Sequence, residues 1–245
     1  QGETMGLFQL GGAGMTRYLK ELKPTNIFDI MAMISLFRPG PMNSIPQFIE
    51  CKHNPEKIRY FDPRMEDYLK ESYGVIVYQD DVLLTAINIA GYNWEEADKF
   101  RKAIGKKIPS EMAKQKDKFI EGCVKNGLSK KKAEELFSII EPFSAYGFNK
   151  AHAASYAVIA YQTAYMKAHY PVEFMTAVMS AEAQDAEKIA AAVTECAKLK
   201  IPVLPPDINN SQIGFAIEDY EGTQAIRFGL SAIKNVGQAA IAEIL

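Results

Sequence analysis

Two stretches of this sequence carry side chains that suit a polyanion. The first is Arg101-Lys102-Ala103-Ile104-Gly105-Lys106-Lys107. On a helix, Arg101 and Lys102 point about 100° apart, and Gly105 lets the chain turn so that Lys106 and Lys107 come back near the helix end. Four cations then surround a small space. Arg can bind phosphate oxygens with a paired fork, while Lys acts as a mobile point charge. The plain alternative is a helix C-terminus whose basic residues offset its dipole. The G-x-x-x-x-G-K-[ST] spacing of a phosphate-binding loop is absent. The second stretch is Tyr146-Gly-Phe-Asn149-Lys150-Ala-His152-Ala-Ala-Ser155-Tyr156. Lys150 and His152 sit at the start of an alanine-rich helix, where unpaired backbone N–H groups already favour an anion. Small residues follow, so a base or sugar could approach closely, and Tyr156 offers a stacking face. A capping or core His152 is the competing reading.

Other chemistries find less support. Asp80-Asp81 and Glu95-Glu96 are adjacent carboxylates near expected helix starts, where capping accounts for them, so no metal ligand and no catalytic residue is assigned. Cys51, Cys123 and Cys196 form no C-x-x-C pair, which indicates neither a disulfide framework nor a zinc site. They read as packing or surface thiols. His53, His152 and His169 support no nucleophile triad.

Charge is distributed unevenly over the 245 residues, whose formal sum is -2. The window from Lys99 to Lys132 holds twelve basic residues against Glu111, Asp117 and Glu121, giving +9 there and -11 elsewhere. A local basic field of this kind attracts phosphate without making the whole surface adhesive to polyanions. The longest apolar stretches are broken by His, Ser and Tyr well short of a membrane span. No secretory signal is legible, so a cytoplasmic protein without membrane contact is expected.

The elements that must hold these residues are mostly helices. Thr25 is expected to cap a helix with Ile27, Ile30, Met31 and Ile34 on one stripe, ended by Arg38-Pro39-Gly40-Pro41. Val75 to Tyr78 reads as a short strand, with Asp80 or Asp81 capping a helix from Val82 to Ala90. Asn93 and Glu96 form a capping box for the helix carrying Arg101, which Gly105 ends. Further helices are expected from Pro109 to Lys125, from Ser129 to about Pro142, from Ala151 to His169, from Val172 to Ser180 and from Ala186 to Leu199. Ile201-Pro-Val-Leu-Pro-Pro cannot be helical. A β-hairpin is expected from Gly214 to Glu218 and Gln224 to Leu230, joined through Tyr220-Glu-Gly-Thr. The fold class is mainly α, a helical body followed by a small mixed α/β element, divided near residues 181 to 185.

The strings FRPGP (37–41), YGVIVYQ (73–79), ADKFRKAIGKK (97–107), YGFNKAHAASYA (146–157), YQTAYMKAHYP (161–171) and VLPPDIN (203–209) resemble, in this order, bacterial DNA polymerase III alpha subunits, the C-family replicative polymerases. The resemblance covers essentially the whole chain. It implies a palm-to-fingers junction over 1–24, a helical fingers domain over 25–182 and the start of a helix-hairpin-helix domain over 183–245. It also implies template-directed addition of deoxynucleotides, with two Mg²⁺ ions held by palm aspartates that this sequence lacks. The piece alone is then expected to be inactive. By carry-over, Arg101, Lys102, Lys106 and Lys107 lie near the triphosphate and template, and Asn149, Lys150 and His152 lie against the incoming nucleotide. The implied partners are primer-template DNA, deoxynucleoside triphosphates and, through other parts of a longer chain, a sliding clamp and further replisome subunits. Departures from the family pattern are Gly11-Gly12, Asp80-Asp81 and Lys102, the last keeping the charge of a frequent arginine without its fork. The competing functions are a non-catalytic DNA-binding accessory module and a helical interaction scaffold.

Overall fold

The computed structural model describes residues 2–106 and 109–245, with the side chains at 104–106, 109–111, 142–146, 238 and 244 left aside. It is mainly helical, with one small three-stranded mixed sheet near the C-terminal end. The helices are α1 (Ala13–Leu22), α2 (Ile27–Leu36), α3 (Ile45–His53), α4 (Glu66–Leu69), α5 (Gln79–Asn88), α6 (Trp94–Lys106), α7 (Pro109–Lys125), α8 (Lys130–Tyr146), α9 (Lys150–His169), α10 (Pro171–Ala181), α11 (Ala186–Lys198) and α12 (Gln238–Ile244). Contacts divide the chain into two compact units. One holds Gly2 and residues 13–159, and the other holds 160–245 together with the early segment 3–12.

The first unit is built on apolar stripes that its helices cannot bury alone. Phe100 of α6 stacks on Phe119 of α7, with ring centroids 5.1 Å apart and planes 10° from parallel. Phe137 of α8 and Tyr92 close the cluster edge-on. Burying three phenylalanines completely is worth roughly 1.5–3 kcal/mol each, which makes α6, α7 and α8 one body. Gly122 allows that packing. It lies inside α7, where glycine costs about 1 kcal/mol relative to alanine, and a Cβ there would stand 2.3 Å from the carbonyl oxygen of Ala90. The helix passes so close to the α5–α6 turn that only a bare backbone fits.

Beside this body, Asp29 of α2 is fully buried and ion-paired with Lys52 of α3. Its carboxylate also accepts from the Thr25 N–H at 2.9 Å and the Tyr73 hydroxyl at 2.9 Å. Burial alone would raise this carboxyl, but the bonds from Lys52, Thr25 and Tyr73 outweigh it and hold it below the usual range.

The second unit centres on Met175, Met179, Ile189, Cys196, Ile201, Phe215 and Ile226. Its sheet has the order β1 (Val203–Leu204), β3 (Thr223–Arg227), β2 (Ala216–Tyr220), with β1 parallel and β2 antiparallel to β3. Lys167 of α9 is buried here and donates to the carbonyls of Glu3 and Met5 at 3.0 and 2.9 Å and to the Glu195 carboxylate at 2.7 Å. One ammonium thus saturates its three donors and ties the segment 3–12 to α9 and α11.

Several expectations shift. The cap of α2 is Asn26, whose side chain accepts from the Asp29 N–H, because Thr25 is occupied with the Asp29 carboxylate. Val75 to Tyr78 is extended but makes only an isolated bridge, Tyr78 to Phe148, so it is not a strand of a sheet. Helix α5 starts at Gln79, three residues early, because Asp81 caps from inside its first turn. Its buried carboxylate accepts from the Val77 and Tyr78 N–H groups, both at 2.8 Å. The α8 helix continues past Pro142 to Tyr146, and α6 continues through Gly105 to Lys106. The hairpin turn is Glu221-Gly222, both with positive φ; the first strand lies two residues later than expected, over Ala216–Tyr220, and the second, Thr223–Arg227, ends three residues early. The Asn93–Glu96 capping box is formed in both directions, at 2.9 and 3.1 Å. All three cysteines are buried, which makes them packing rather than surface thiols.

Two outcomes follow. Gly122→Ala should lower unfolding stability by about 2–3 kcal/mol, since neither backbone can yield cheaply; a denaturant midpoint equal to wild type would contradict the contact. Burial pushes the Asp81 carboxyl up to about 7, against two backbone N–H bonds and Lys150 that pull it down. An acid whose folded value lies above its unfolded one near 4 leaves the folded state holding the extra proton between those values. The Asp81 contribution therefore falls as pH rises from about 4 to about 7, and the difference in stability between wild type and Asp81→Asn should change across that window. A difference independent of pH would show that Asp81 does not titrate there.

Candidate nucleotide-binding site

The site is organised by the short run Tyr78-Gln79-Asp80-Asp81. Tyr78 and Asp81 are buried, 4% and 2% exposed, so the intervening pair is held outward at the start of α5. Gln79 accepts from the Arg101 guanidinium of α6 at 3.2 Å. Asp80 accepts from the backbone N–H of Lys150, the first residue of α9, at 2.9 Å. Consecutive Cα atoms are about 3.8 Å apart, so the helices carrying the two basic strings meet on adjacent residues. The backbone reinforces this, with the Gln79 N–H donating to the Phe148 carbonyl at 3.0 Å.

The cations have carboxylate partners. Arg101 and Lys102 share Asp98, at 2.7 and 2.5 Å. Those two bonds hold the Asp98 carboxyl below its ordinary value. Lys150 Nζ pairs with Glu71 at 2.9 Å and stands 5.6 Å from the centroid of the Tyr78 ring. These partly or largely exposed contacts are weak, and they can be exchanged for a stronger anion.

Of the residues read from sequence, the Arg101 guanidinium and the Lys150 backbone reach neighbouring residues of α5, while the Lys150 ammonium turns to Glu71. Lys102 is largely exposed, on the Asp98 side of α6. The Lys106 side chain and the whole of Lys107 lie outside the described residues. Asn149 spends its side-chain oxygen on the His152 N–H at 2.9 Å, as an N-cap does. His152 packs between aromatic rings, 4.9 Å from Phe148 and 4.2 Å from Tyr156, and is itself exposed. Tyr156 is half-buried in that ladder. The expected anion site at the bare start of α9 needs correction, because its first N–H is already satisfied by Asp80 and its third by Asn149.

Four participants were not read as site residues. Arg38, in the Arg-Pro-Gly-Pro corner, lays its guanidinium 3.8 Å from the Phe148 ring centroid. Burial pushes its pKa down, opposed by Tyr156. Among the described residues it has no carboxylate at ion-pair distance. Asp80 reads from sequence as a helix cap, and Glu71 and Gln79 carry no assignment there, since no local spacing distinguishes them. The only sequence signal was their place in or beside the strings 37–41 and 73–79.

Among the described residues, no group of three or more His, Cys, Asp or Glu is arranged to hold a metal ion, and no helix is long and apolar enough to cross a membrane.

Comparison with known proteins agrees with the strings. Residues 1–127 match the family model described as the bacterial DNA polymerase III alpha subunit finger domain, and residues 200–245 match a helix-hairpin-helix motif. The chain is 46% identical over 250 aligned residues to the DNA polymerase III subunit alpha of Thermus aquaticus, with 100% of this chain and 20% of that protein covered. It is 43% identical to the subunit of the same name from Escherichia coli K12, covering 99% of this chain and 21% of that protein. The Xylella fastidiosa Temecula1 subunit is 44% identical over 246 residues. The chain thus spans about a fifth of the length of these relatives. A finger-domain model that accounts for more than half of the residues, and relatives aligned along all of them, place the chain in the bacterial DNA polymerase III alpha subunit family.

Proposed function

We propose that this chain is the fingers segment of a DNA-directed DNA polymerase, binding the incoming deoxynucleoside triphosphate and template during DNA replication. The observation that carries this reading is the meeting of Arg101 and Lys150 on Gln79 and Asp80. A triphosphate entering there competes with Asp98 for the Arg101 fork and with Glu71 for the Lys150 ammonium. Several phosphate charges outweigh one carboxylate in each exchange. The flexible Lys150 stem follows the ligand, while Arg101 presents a fixed fork. Lys102, Lys106 and Lys107 add positive field toward triphosphate and template, and Asn149 and His152 border the nucleotide. Tyr156 supplies a ring at the base end. Arg38 joins them, a cation with no carboxylate at ion-pair distance among the described residues.

The job of these groups is to align the reacting phosphate and to stabilise charge that grows on the leaving pyrophosphate. In the whole polymerase two Mg²⁺ ions complete the reaction, held by palm residues outside this chain. The described residues do not offer a site for them, and no step here is routed through metal. We assign residues 1–24 to the palm-to-fingers junction, 25–182 to the fingers and 183–245 to the start of the helix-hairpin-helix domain. The setting is cytoplasmic, with primer-template DNA and, through other parts of the longer protein, a sliding clamp and replisome subunits as partners. The 245-residue piece alone is inactive in this reading. The helix-hairpin-helix match favours one other reading, a DNA-binding accessory module without nucleotide chemistry.

Primer extension by the full-length polymerase separates the two. Arg101→Ala and Lys150→Ala should each lower kcat/KM by about 10²-fold, the usual cost of removing one charge-stabilising donor. Extension at the wild-type rate would remove both residues from the site. Glu71→Gln, which takes away the competitor for Lys150, should lower KM for the nucleotide a few-fold while kcat holds. A raised KM would mean that Glu71 positions Lys150 rather than competing for it.

A further inference from the structure

The basic window contains two kinds of lysine. Several on α6 and α7 have partners, as Lys99 has Glu95, Lys102 has Asp98, Lys118 has Glu96 and Lys116 has the Phe137 ring, whereas Lys114 stands alone and exposed among the described residues. The hairpin joining α7 to α8 differs. Lys125, Lys130, Lys131 and Lys132 are all exposed, and among the described residues none has a carboxylate at ion-pair distance. Acidic groups do stand near. Glu121 lies one turn before Lys125, and Glu134 and Glu135 lie one turn after Lys130 and Lys131. None of them closes a pair. In α8 the order is Lys before Glu, the weaker orientation for a four-residue spacing. Asp62, whose carboxyl feels Lys132, is already held by both ends of the Arg64 guanidinium.

The turn beneath these lysines is firmly held. Leu128 is buried, 8% exposed, and Arg64 donates to the carbonyls of Asn88 and Asn126, both at 3.3 Å. Asn126 returns its amide to the Gly122 carbonyl at 3.1 Å, and Ser129 accepts from the Lys132 N–H. Gly127 at the apex has open space where a side chain would stand. Three of the four lysines occupy the first turn of α8, where the helix dipole disfavours cations. A rigid apex thus concentrates positive charge that folding does not neutralise and that local helix stability opposes.

We infer that this lysine-crowned hairpin is a docking surface for the sugar-phosphate backbone of duplex DNA. The backbone carries one charge per roughly 1.7 Å of axis, so closely set ammonium groups on a narrow projection can meet several phosphates without reading bases. Charge complementarity selects a polyanion. The choice of DNA rests on the function proposed above. Arg64 ties the turn to Asn88 at the C-terminal end of α5, whereas Gln79 and Asp80 lie at that helix's start, and the surface contributes binding rather than chemistry.

The test is titration of a labelled duplex into the 245-residue chain over a range of salt. Replacing Lys125, Lys130, Lys131 and Lys132 together by Gln should weaken binding at least about tenfold at low salt. It should also flatten the plot of log affinity against log salt by up to about 3.6, close to 0.9 for each lysine that meets a phosphate. Lys57→Gln with Lys70→Gln should change the slope little, and Lys130→Gln with Lys131→Gln, of equal charge, should lower it by about 1.8. Lys130→Glu with Lys131→Glu should weaken DNA binding further while a cooperative thermal transition is retained, which rules out loss through unfolding. An equal loss in both double Gln variants overturns the inference, as does an unchanged slope, absence of salt-dependent binding by the wild-type chain, or preference of the apex for polyglutamate over the duplex. A chain that uses the hairpin for DNA but loses no nucleotide response on Lys150→Ala would sink the nucleotide site and leave this one standing.

Discussion

Two backbone N–H groups bonded to one buried carboxylate hold the candidate site in shape. Asp81 takes the Val77 and Tyr78 donors where the extended segment turns into α5, at a position where unpaired N–H groups would otherwise be costly to bury. Because Tyr78 and Asp81 face inward, Gln79 and Asp80 must face outward, and through them α5 reaches α6 on one side and α9 on the other. The Gln79–Phe148 backbone bond and the Tyr78–Phe148 bridge repeat the connection without side chains. Remove the inward bend and the two basic strings lose their common support.

Around that bend the electrostatics are balanced rather than simply positive. Asp98 answers Arg101 and Lys102, Glu71 answers Lys150, and Asp80 answers the start of α9. Exposed pairs of this kind add little stability. Their effect is to hold long side chains in place. Arg38 stands apart, spread over the Phe148 ring, its pKa lowered by burial while the guanidinium stays charged. Among the described residues the lysines of the α7–α8 apex lack such partners, as does Lys114, so folding answers the charge of the one basic window only in part.

Local chemistry accounts for much of the fold. The Asn93–Glu96 box, the Ser129 cap, the proline-glycine corner at 38–41 and the hairpin turn near Gly222 each act within a few residues. Where the reading went astray, a distant partner had changed the local preference. Thr25 yields the cap to Asn26 because Asp29, buried with Lys52, claims it. Asp81 reaches back toward Val77, and Asp80 leaves its own helix for α9. Val75 to Tyr78 has the composition of a strand but no neighbouring strand with which to form a sheet.

From sequence alone came the helical class, the uneven charge, the basic strings around Arg101 and Lys150 and the family itself, because these depend on residue type and order along the chain. Tertiary structure decided which cations meet, which carboxylates hold them, and that Arg38, 110 residues before Phe148, joins the same cluster. It also revealed that Gly122 is required by the carbonyl of Ala90 rather than by a turn. Contacts of that range are set by how buried faces pack against one another, and packing compares all the elements at once.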